Sequence, residues 1–368
     1  MDPLAGGGLL SDTASFRTLL DTALSPEPWC IDHISLDGTE LVIDGWALPP
    51  GGRHSDITFT LNDQPFETID YPVARPDVAQ VFWFKPGAEK AAFHCRTRAT
   101  LEDFGNGYMT LKCVHRETGL PLRQEYNWYY PDDRSSPPLP DAGRRLRVAG
   151  NESPEIFRLE GYTTFKKLDL ALRRTDGKGI GEFNQILDWG CGCGRVTRYF
   201  SELPNVKLTG VDVDFDNLNW CKRELGFGDF YRVPLHPPTE LALSRFDLVI
   251  GISVFSHLRE RDQIEWLYEL NRIARPGALL LMSVLGEATA CRSSWDFSLW
   301  QEWQRKGILS AGDNDDLRGY IEDDEYYCNT YVTPDYVRQS WSRFFKIVEI
   351  IPAYIGNQQD LVIMRKPE

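Results

Sequence analysis

Two hydrophobic rhythms divide the chain. Over residues 31–128 short apolar runs alternate with polar positions and are cut by turn residues. Leu41-Val42-Ile43-Asp44-Gly45-Trp46-Ala47-Leu48 stops at Pro49-Pro50-Gly51-Gly52, and Ile57-Thr58-Phe59-Thr60-Leu61 alternates with period two before meeting Asn62-Asp63. Ala91-Ala92-Phe93-His94-Cys95 and Tyr108-Met109-Thr110-Leu111-Lys112-Cys113-Val114 repeat the signal. Short alternating runs bounded by Gly, Pro and Asn predict an all-β sandwich over residues 31–130, with residues 1–30 as an N-terminal extension. The proline-rich polar stretch from Pro131 to Pro140 cannot build a core, and residues 131–152 are predicted to be a linker.

From Pro154 the rhythm becomes helical. Phe157, Tyr162, Phe165, Leu168 and Leu172 recur at roughly helical spacing, which predicts a helix or broken helix pair. Apolar strands and amphipathic helices then alternate: Ile186-Leu187, Lys207–Asp214, Phe246–Gly251, a helix over 263–273 with Ile264, Trp266, Leu267 and Leu270 on its apolar face, and Ala278–Val284. The last of these is almost wholly apolar, as a strand covered by helices on both faces should be. Phe345–Ile351 and Asp360–Met364 read as two further strands. The fold class is therefore α/β, with an N-terminal β unit.

The first central strand ends in Asp188-Trp189-Gly190-Cys191-Gly192-Cys193-Gly194-Arg195, and the second ends in Gly210-Val211-Asp212. Alternate glycines let backbone approach a ligand, and an acid about 20 residues on accepts both hydroxyls of a ribose. Arg195 stands where a dinucleotide fingerprint would place its last glycine, and no Gly-Lys-Ser/Thr follows to make a phosphate loop. With Phe246-Asp247-Leu248-Val249, Ser253-Val254-Phe255-Ser256-His257-Leu258 and Arg275-Pro276-Gly277, this stretch resembles the class I S-adenosylmethionine-dependent methyltransferases, in their bacterial subgroup. The resemblance implies a Rossmann-like seven-stranded sheet over residues 153–368, closed by the antiparallel pair 345–351 and 360–364. It implies S-adenosylmethionine as cofactor. Gly45-Trp46-Ala47 and Arg75-Pro76-Asp77-Val78-Ala79 are similar to a small β domain attached to enzymes of glycan metabolism.

The residues expected at the donor are Asp188, Gly190, Cys191, Gly192, Gly194, Asp212, Val213, Phe230, Tyr231, Ser253 and Val254. Asp212 is assigned to the ribose hydroxyls, and the glycines to the turn beneath the methionyl portion. Asp188 orients the loop, meets the donor ammonium or caps the turn. Arg195 begins a helix or pairs with Asp188. Phe230, Tyr231 and Val213 are the stacking candidates for adenine. In the resembling family the segment around Tyr162 and Thr163 often closes over the donor.

A formal charge of −14 and a pI near 5.0 argue against a general nucleic-acid binder. The start of the chain lacks a basic region leading into an apolar helix, and no apolar stretch approaches the ~20 residues of a membrane span. Eight scattered cysteines suit a reducing cytoplasm. Cys191 and Cys193 form a CxC, but small side chains suit the glycine turn and no second ligand pair is near, so no metal is expected.

Methyl transfer from a sulfonium is a direct displacement, so the protein has to align the reactants and desolvate the nucleophile. His257, at the carboxyl edge of the sheet, is the candidate catalytic base; the alternative is that it caps or orients its own loop. His236 is expected to line the donor pocket. An insertion over 286–335 is expected to bind the acceptor through Trp295, Trp300, Tyr327 and Tyr331, with Tyr162 contributing. The predicted function is methylation of a small molecule, at a hydroxyl of a sugar or specialised metabolite. The alternatives are N-methylation of an aminosugar or other amine, and an inactive glycan-binding or structural protein.

Overall fold

The computed structural model describes residues 10–23, 28–105, 107–129, 136–293 and 295–368. Part of the expected N-terminal extension (1–9 and 24–27) and of the expected linker (131–135) lies outside the described residues.

In chain order the elements up to residue 129 are α1 (Leu10–Ala23), β1 (Trp29–Asp37), β2 (Glu40–Ala47), β3 (Ile57–Leu61), β4 (Gln64–Pro65), β5 (Thr68–Val73), α2 (Pro76–Val81), β6 (Ala92–Arg98), β7 (Tyr108–His115) and β8 (Pro121–Tyr129). They form two four-stranded sheets, β1-β2-β6-β5 and β4-β3-β7-β8. Every pairing in both sheets is antiparallel. The Asn62-Asp63 pair turns β3 into β4 with both residues at positive φ (48° and 64°), the conformation a tight hairpin needs. Alternate residues of both sheets, among them Trp29, Ile43, Phe59, Met109, Leu111 and Trp128, bury one shared apolar core.

Two helices follow, α3 (Ala142–Ala149) and α4 (Pro154–Asp176). The linker expected over 131–152 is therefore helical at its C-terminal end. Asp141 caps the N-terminus of α3 by accepting from Arg144 N, and Gly150 stops it in the left-handed region. Helix α4 is one continuous helix started by Ser153 and Pro154. Its Ile156 and Leu159 join the N-terminal core, while Leu168 and Leu172 pack on the central sheet. The two halves are also tied by polar contacts: Thr163 Oγ1 accepts from Asn127 N at 2.8 Å, and Asn357 Nδ2 donates to Trp29 O at 2.7 Å.

The remaining elements are β9 (Gln185–Trp189), β10 (Lys207–Asp212), α5 (Phe215–Glu224), β11 (Gly228–Arg232), β12 (Phe246–Gly251), α6 (Glu260–Ile273), β13 (Ala274–Leu285), α7 (Glu287–Ala290), α8 (Phe297–Lys306), β14 (Ile308–Asp313), β15 (Cys328–Val332), α9 (Pro334–Ser340), β16 (Lys346–Ile355) and β17 (Gln359–Arg365). Strands β11-β10-β9-β12-β13 run parallel; β17 lies antiparallel beside β13, and β16 pairs antiparallel with β17 at the edge, so it runs in the direction of the parallel strands. The sheet has nine strands where seven are expected. The extra two are the hairpin β14–β15 of the insertion, attached to the end of β13 through Leu285 and Tyr331. Both faces of the sheet are covered: Leu187, Val249 and Leu280 point into one core, and Ile186, Leu248 and Leu279 into another. That burial explains why the central strands read as continuous apolar runs.

Candidate active site

The glycine loop leaves β9 by a turn that only glycine takes without strain. Gly190, Gly192 and Gly194 all have positive φ (76°, 54° and 81°). The N–H groups of Gly190 and Cys191 both donate to Val211 O, at 2.8 and 3.0 Å, which binds the loop to the end of β10. A Cβ on Gly190 would fall inside the Val254 side chain, and one on Gly192 would lie 3.1 Å from Val148 on α3.

Asp212 completes the turn. Its Oδ2 accepts from Gly192 N at 2.7 Å and its Oδ1 from Asp214 N at 2.8 Å. Asp214 in turn caps α5, accepting from the N–H groups of Asp216 and Asn217. Asp188 is buried and accepts from Thr197 Oγ1 at 2.6 Å. Burial raises the carboxyls of Asp188 and Asp212 to about 6; the Thr197 hydroxyl opposes the first shift, and the Asp214 and Gly192 amides oppose the second. Two acids near neutrality in one cleft are poised to exchange charge with a ligand.

One cavity gathers these residues. Its wall includes Asp188, Gly190, Cys191, Gly192, Asp212, Val213, Ser253 and Val254 of the expected donor set, together with Tyr327 of the expected acceptor set. Gly194 shapes the loop without lining it: its Cβ would lie 2.6 Å from Leu225. Phe230 is buried against Gly210 and Tyr231 is largely exposed, and neither lines the cavity. They extend from an edge strand, β11, one register step outside the pocket. Arg195 does line it, but its ion pair is with Glu160 at 3.6 Å rather than with Asp188.

Tyr326, a further acceptor candidate from the sequence, lines the cavity too, and several residues arrive unannounced by the motifs: Arg147 and Val148 from α3, Asn217 from α5, Val233, Trp266 from α6, and Leu317 from the insertion. The signal for α3 is present in Asp141-Ala142-Gly143-Arg144-Arg145-Leu146-Arg147-Val148-Ala149-Gly150, a capping acid and a terminating glycine around helix formers.

Four expected acceptor contacts lie elsewhere. Trp300 and Tyr331 are buried, and Trp295 partly buried, in an apolar cluster with Phe16, Leu20 and Phe82. Trp300 meets Phe16 at 5.9 Å between ring centroids, which holds α8 against α1, and Trp295 meets Tyr331 of β15 at 4.7 Å. Tyr162 packs among Tyr108, Tyr129 and Tyr199. Large apolar rings that lack a free face bury their area in the core, and the aromatic density of the insertion serves that end.

His257 does not line the cavity. Its ring stacks on Tyr327, which does, at 4.2 Å and 19°. Nδ1 lies 3.1 Å from Cys328 O. A carbonyl only accepts, so Nδ1 carries the proton and Nε2 is left as the acceptor. Burial lowers the imidazole to about 4, opposed by the Cys328 carbonyl, and the ring is neutral at physiological pH. Beside it Ser253, at φ 60°, donates its N–H to Ser283 Oγ at 2.7 Å and receives Gln359 Nε2 at 2.8 Å. His236 sits outside the cavity, 3.2 Å from Asp262. With Glu265 these groups bring ligand atoms within 4.8 Å of one another, but Glu265 is also ion-paired to Arg261 at 2.9 Å.

Residues 187–280, from the first central strand into the fifth, match a family model described as Methyltransferase domain. That segment is similar to a methyltransferase domain. Among solved structures, the PH0226 protein of Pyrococcus horikoshii is similar at 18% identity and a TM-score of 0.41, over 60% of this chain and 95% of that one. The Burkholderia thailandensis 1,6-didemethyltoxoflavin-N1-methyltransferase is similar at 16% identity and 0.40, over 66% and 96%. Human N-acetylserotonin methyltransferase is similar at 18% identity and 0.37, over 58% and 53%. No curated protein matches the chain. Among the described residues, no helix is long and apolar enough to cross a membrane.

Proposed function

We propose that the chain is an S-adenosylmethionine-dependent methyltransferase that acts on a small molecule, at a hydroxyl group, and that the acceptor enters from the side of the insertion. The observation that carries this reading is the shared lining: donor-loop residues and the insertion residues Leu317, Tyr326 and Tyr327 face the same cavity. Asp212 is assigned to the ribose hydroxyls, the glycine loop to the methionyl portion, and Val213 and Val233 to the adenine. The bound sulfonium supplies an electrophilic methyl; the chain supplies alignment, exclusion of water and an acceptor for the proton.

For that proton the proposal keeps His257, which is neutral, half-buried and left with Nε2 as acceptor. A base of pKa about 4 is weak towards a free hydroxyl. It is strong enough towards an oxygen already attacking the methyl, because the oxonium that forms is very acidic. Tyr326 and Tyr327 offer aromatic faces with polar edges, which suits a sugar. Residues 31–130 are read as a β-sandwich accessory domain, and residues 153–368 as the catalytic domain with its acceptor insertion at 286–335.

One observation favours a second reading. The insertion carries Asp313, Asp315, Asp316, Glu322, Asp323, Asp324 and Glu325 around the lining residue Leu317, a field that attracts a protonated amine. Incubation with a trideuteromethyl donor and matched hydroxyl- and amine-bearing sugars, followed by mass spectrometry, separates the two. Label on oxygen supports the proposal, and label confined to nitrogen replaces it with N-methylation.

A further inference from the structure

Arg147 joins three parts of the molecule. It projects from α3 with its side chain almost fully buried, and its Nε donates to Asp214 Oδ2 at 2.8 Å. Its Nη2 donates to Asp216 Oδ2 at 2.8 Å and Asn217 Oδ1 at 3.1 Å. These bonds lie in the guanidinium plane and leave its faces free. One face is covered by Tyr320, whose ring centroid is 3.8 Å from the guanidinium carbon. Tyr320 belongs to the insertion, and its N–H donates to the carbonyl of Leu317, which lines the cavity.

The C-terminal end of the segment is anchored by Tyr326, whose hydroxyl donates to Leu235 O at 2.5 Å and accepts from Trp266 Nε1 at 3.0 Å, and by Tyr327 stacked on His257; two further ties are exposed. Arg232 and Glu322 pair at 2.8 Å with both side chains largely in solvent, and exposed pairs of that kind contribute little. Arg259 reaches Glu325 O at 3.2 Å from an exposed position. The stack on Arg147 has a desolvated guanidinium on one side and a ring directly over it, the geometry in which cation–π attraction is strongest.

Arg147 and Val148 of α3 line the cavity together with Leu317 and Tyr327 of the insertion. Asp214, which holds Arg147, also gives its N–H to Asp212 Oδ1. We propose that Arg147 is a positioning residue that couples donor occupancy to placement of residues 314–327, so that the acceptor side of the cavity is ordered when the donor is bound. The coupling follows from differential contact: a bound donor meets α3 and the insertion at once only when they are together, and Arg147, itself in the lining, joins them through Tyr320, which is not. The inference rests on the donor pocket and is independent of which acceptor atom is methylated.

Hydrogen exchange on the full chain, with and without S-adenosylhomocysteine, reads this directly. In the wild type the ligand slows exchange in both 142–149 and 314–327. In Tyr320→Ala it slows exchange in 142–149 alone, and affinity falls roughly 2- to 30-fold, the range a cation–π contact spans. Tyr320→Phe, which keeps the ring, behaves as the wild type. Tyr320 is 42% exposed, so Tyr320→Ala stays folded and its ligand-free melting temperature falls by a few degrees at most. Equal protection of 314–327 in Tyr320→Ala and wild type overturns the proposal, as does a Phe variant that behaves like Ala. A wild type that takes up no S-adenosylhomocysteine refutes the donor pocket and the coupling together, and the binding titration reveals that before any exchange is measured.

Discussion

Replacing Asp212 by Asn isolates what the carboxylate does. Asp212 is 8% exposed, and each of its oxygens already accepts one backbone N–H, from Gly192 at 2.7 Å and from Asp214 at 2.8 Å. The remaining lone pairs are those assigned to the ribose. An asparagine keeps the shape but turns one acceptor into an NH2 group, which then faces a backbone N–H and offers the ribose a donor where a hydroxyl needs an acceptor. Hydrogen bonds to a charged group contribute about 1.5–3 kcal/mol each, so losing one and neutralising the other costs about 3 kcal/mol, or roughly 150-fold in Kd. Stability of the ligand-free protein moves much less. Burial already disfavours the ionised carboxylate, as its pKa near 6 records, and removing that charge offsets part of the unsatisfied amide. Calorimetric titration with S-adenosylhomocysteine at neutral pH, alongside a melting curve, tests the prediction. A folded variant that binds within about threefold of wild type would refute the ribose assignment.

Asp188 and Asp212 have pKa values of about 6, raised from 3.8, so the folded protein holds more protons than the unfolded chain between those values. Ligand-free stability therefore declines as pH rises from about 4 to 6, by up to about 3 kcal/mol per group, while donor affinity increases over the same range as Asp212 ionises. Melting curves and titrations across pH check both signs, and parallel changes would contradict the account. His257→Ala should lower kcat with little change in donor affinity, and the wild-type kcat at saturating donor should stay flat from neutral pH down towards the His257 pKa of about 4. A rate limb near the ordinary histidine value of about 6.5 would assign the proton to another group. Trp300→Ala should lower stability by about 3–5 kcal/mol in thermal or denaturant unfolding, because its ring is core. A stable variant with only a raised acceptor KM would return Trp300 to the acceptor site.

The donor side is legible in the chain because each requirement falls on one residue type at one spacing. The positive φ of Gly190, Gly192 and Gly194 admits little but glycine, and Asp212 must end a strand beside them. The buried parallel strands are legible for a similar reason, since covering both faces leaves no polar positions. The acceptor side is not local in this way. Tyr327 and Tyr331 look alike in the sequence, yet the first lines the cavity and the second bonds Ser293 inside an apolar cluster. What separates them is the hairpin β14–β15, whose register on β13 is fixed by one pairing, Leu285 with Tyr331. Helix α3 was hidden by the prolines before it, although Asp141 and Gly150 mark both its ends.

The central claim is that the cavity bounded by the glycine loop and Asp212 takes S-adenosylmethionine. Titration of the full chain with S-adenosylmethionine tests it most directly. Saturable binding at one site per chain is expected, accompanied by a rise in melting temperature that grows with ligand concentration. Neither heat nor a thermal shift at any ligand concentration, from a protein shown to be folded, would contradict it.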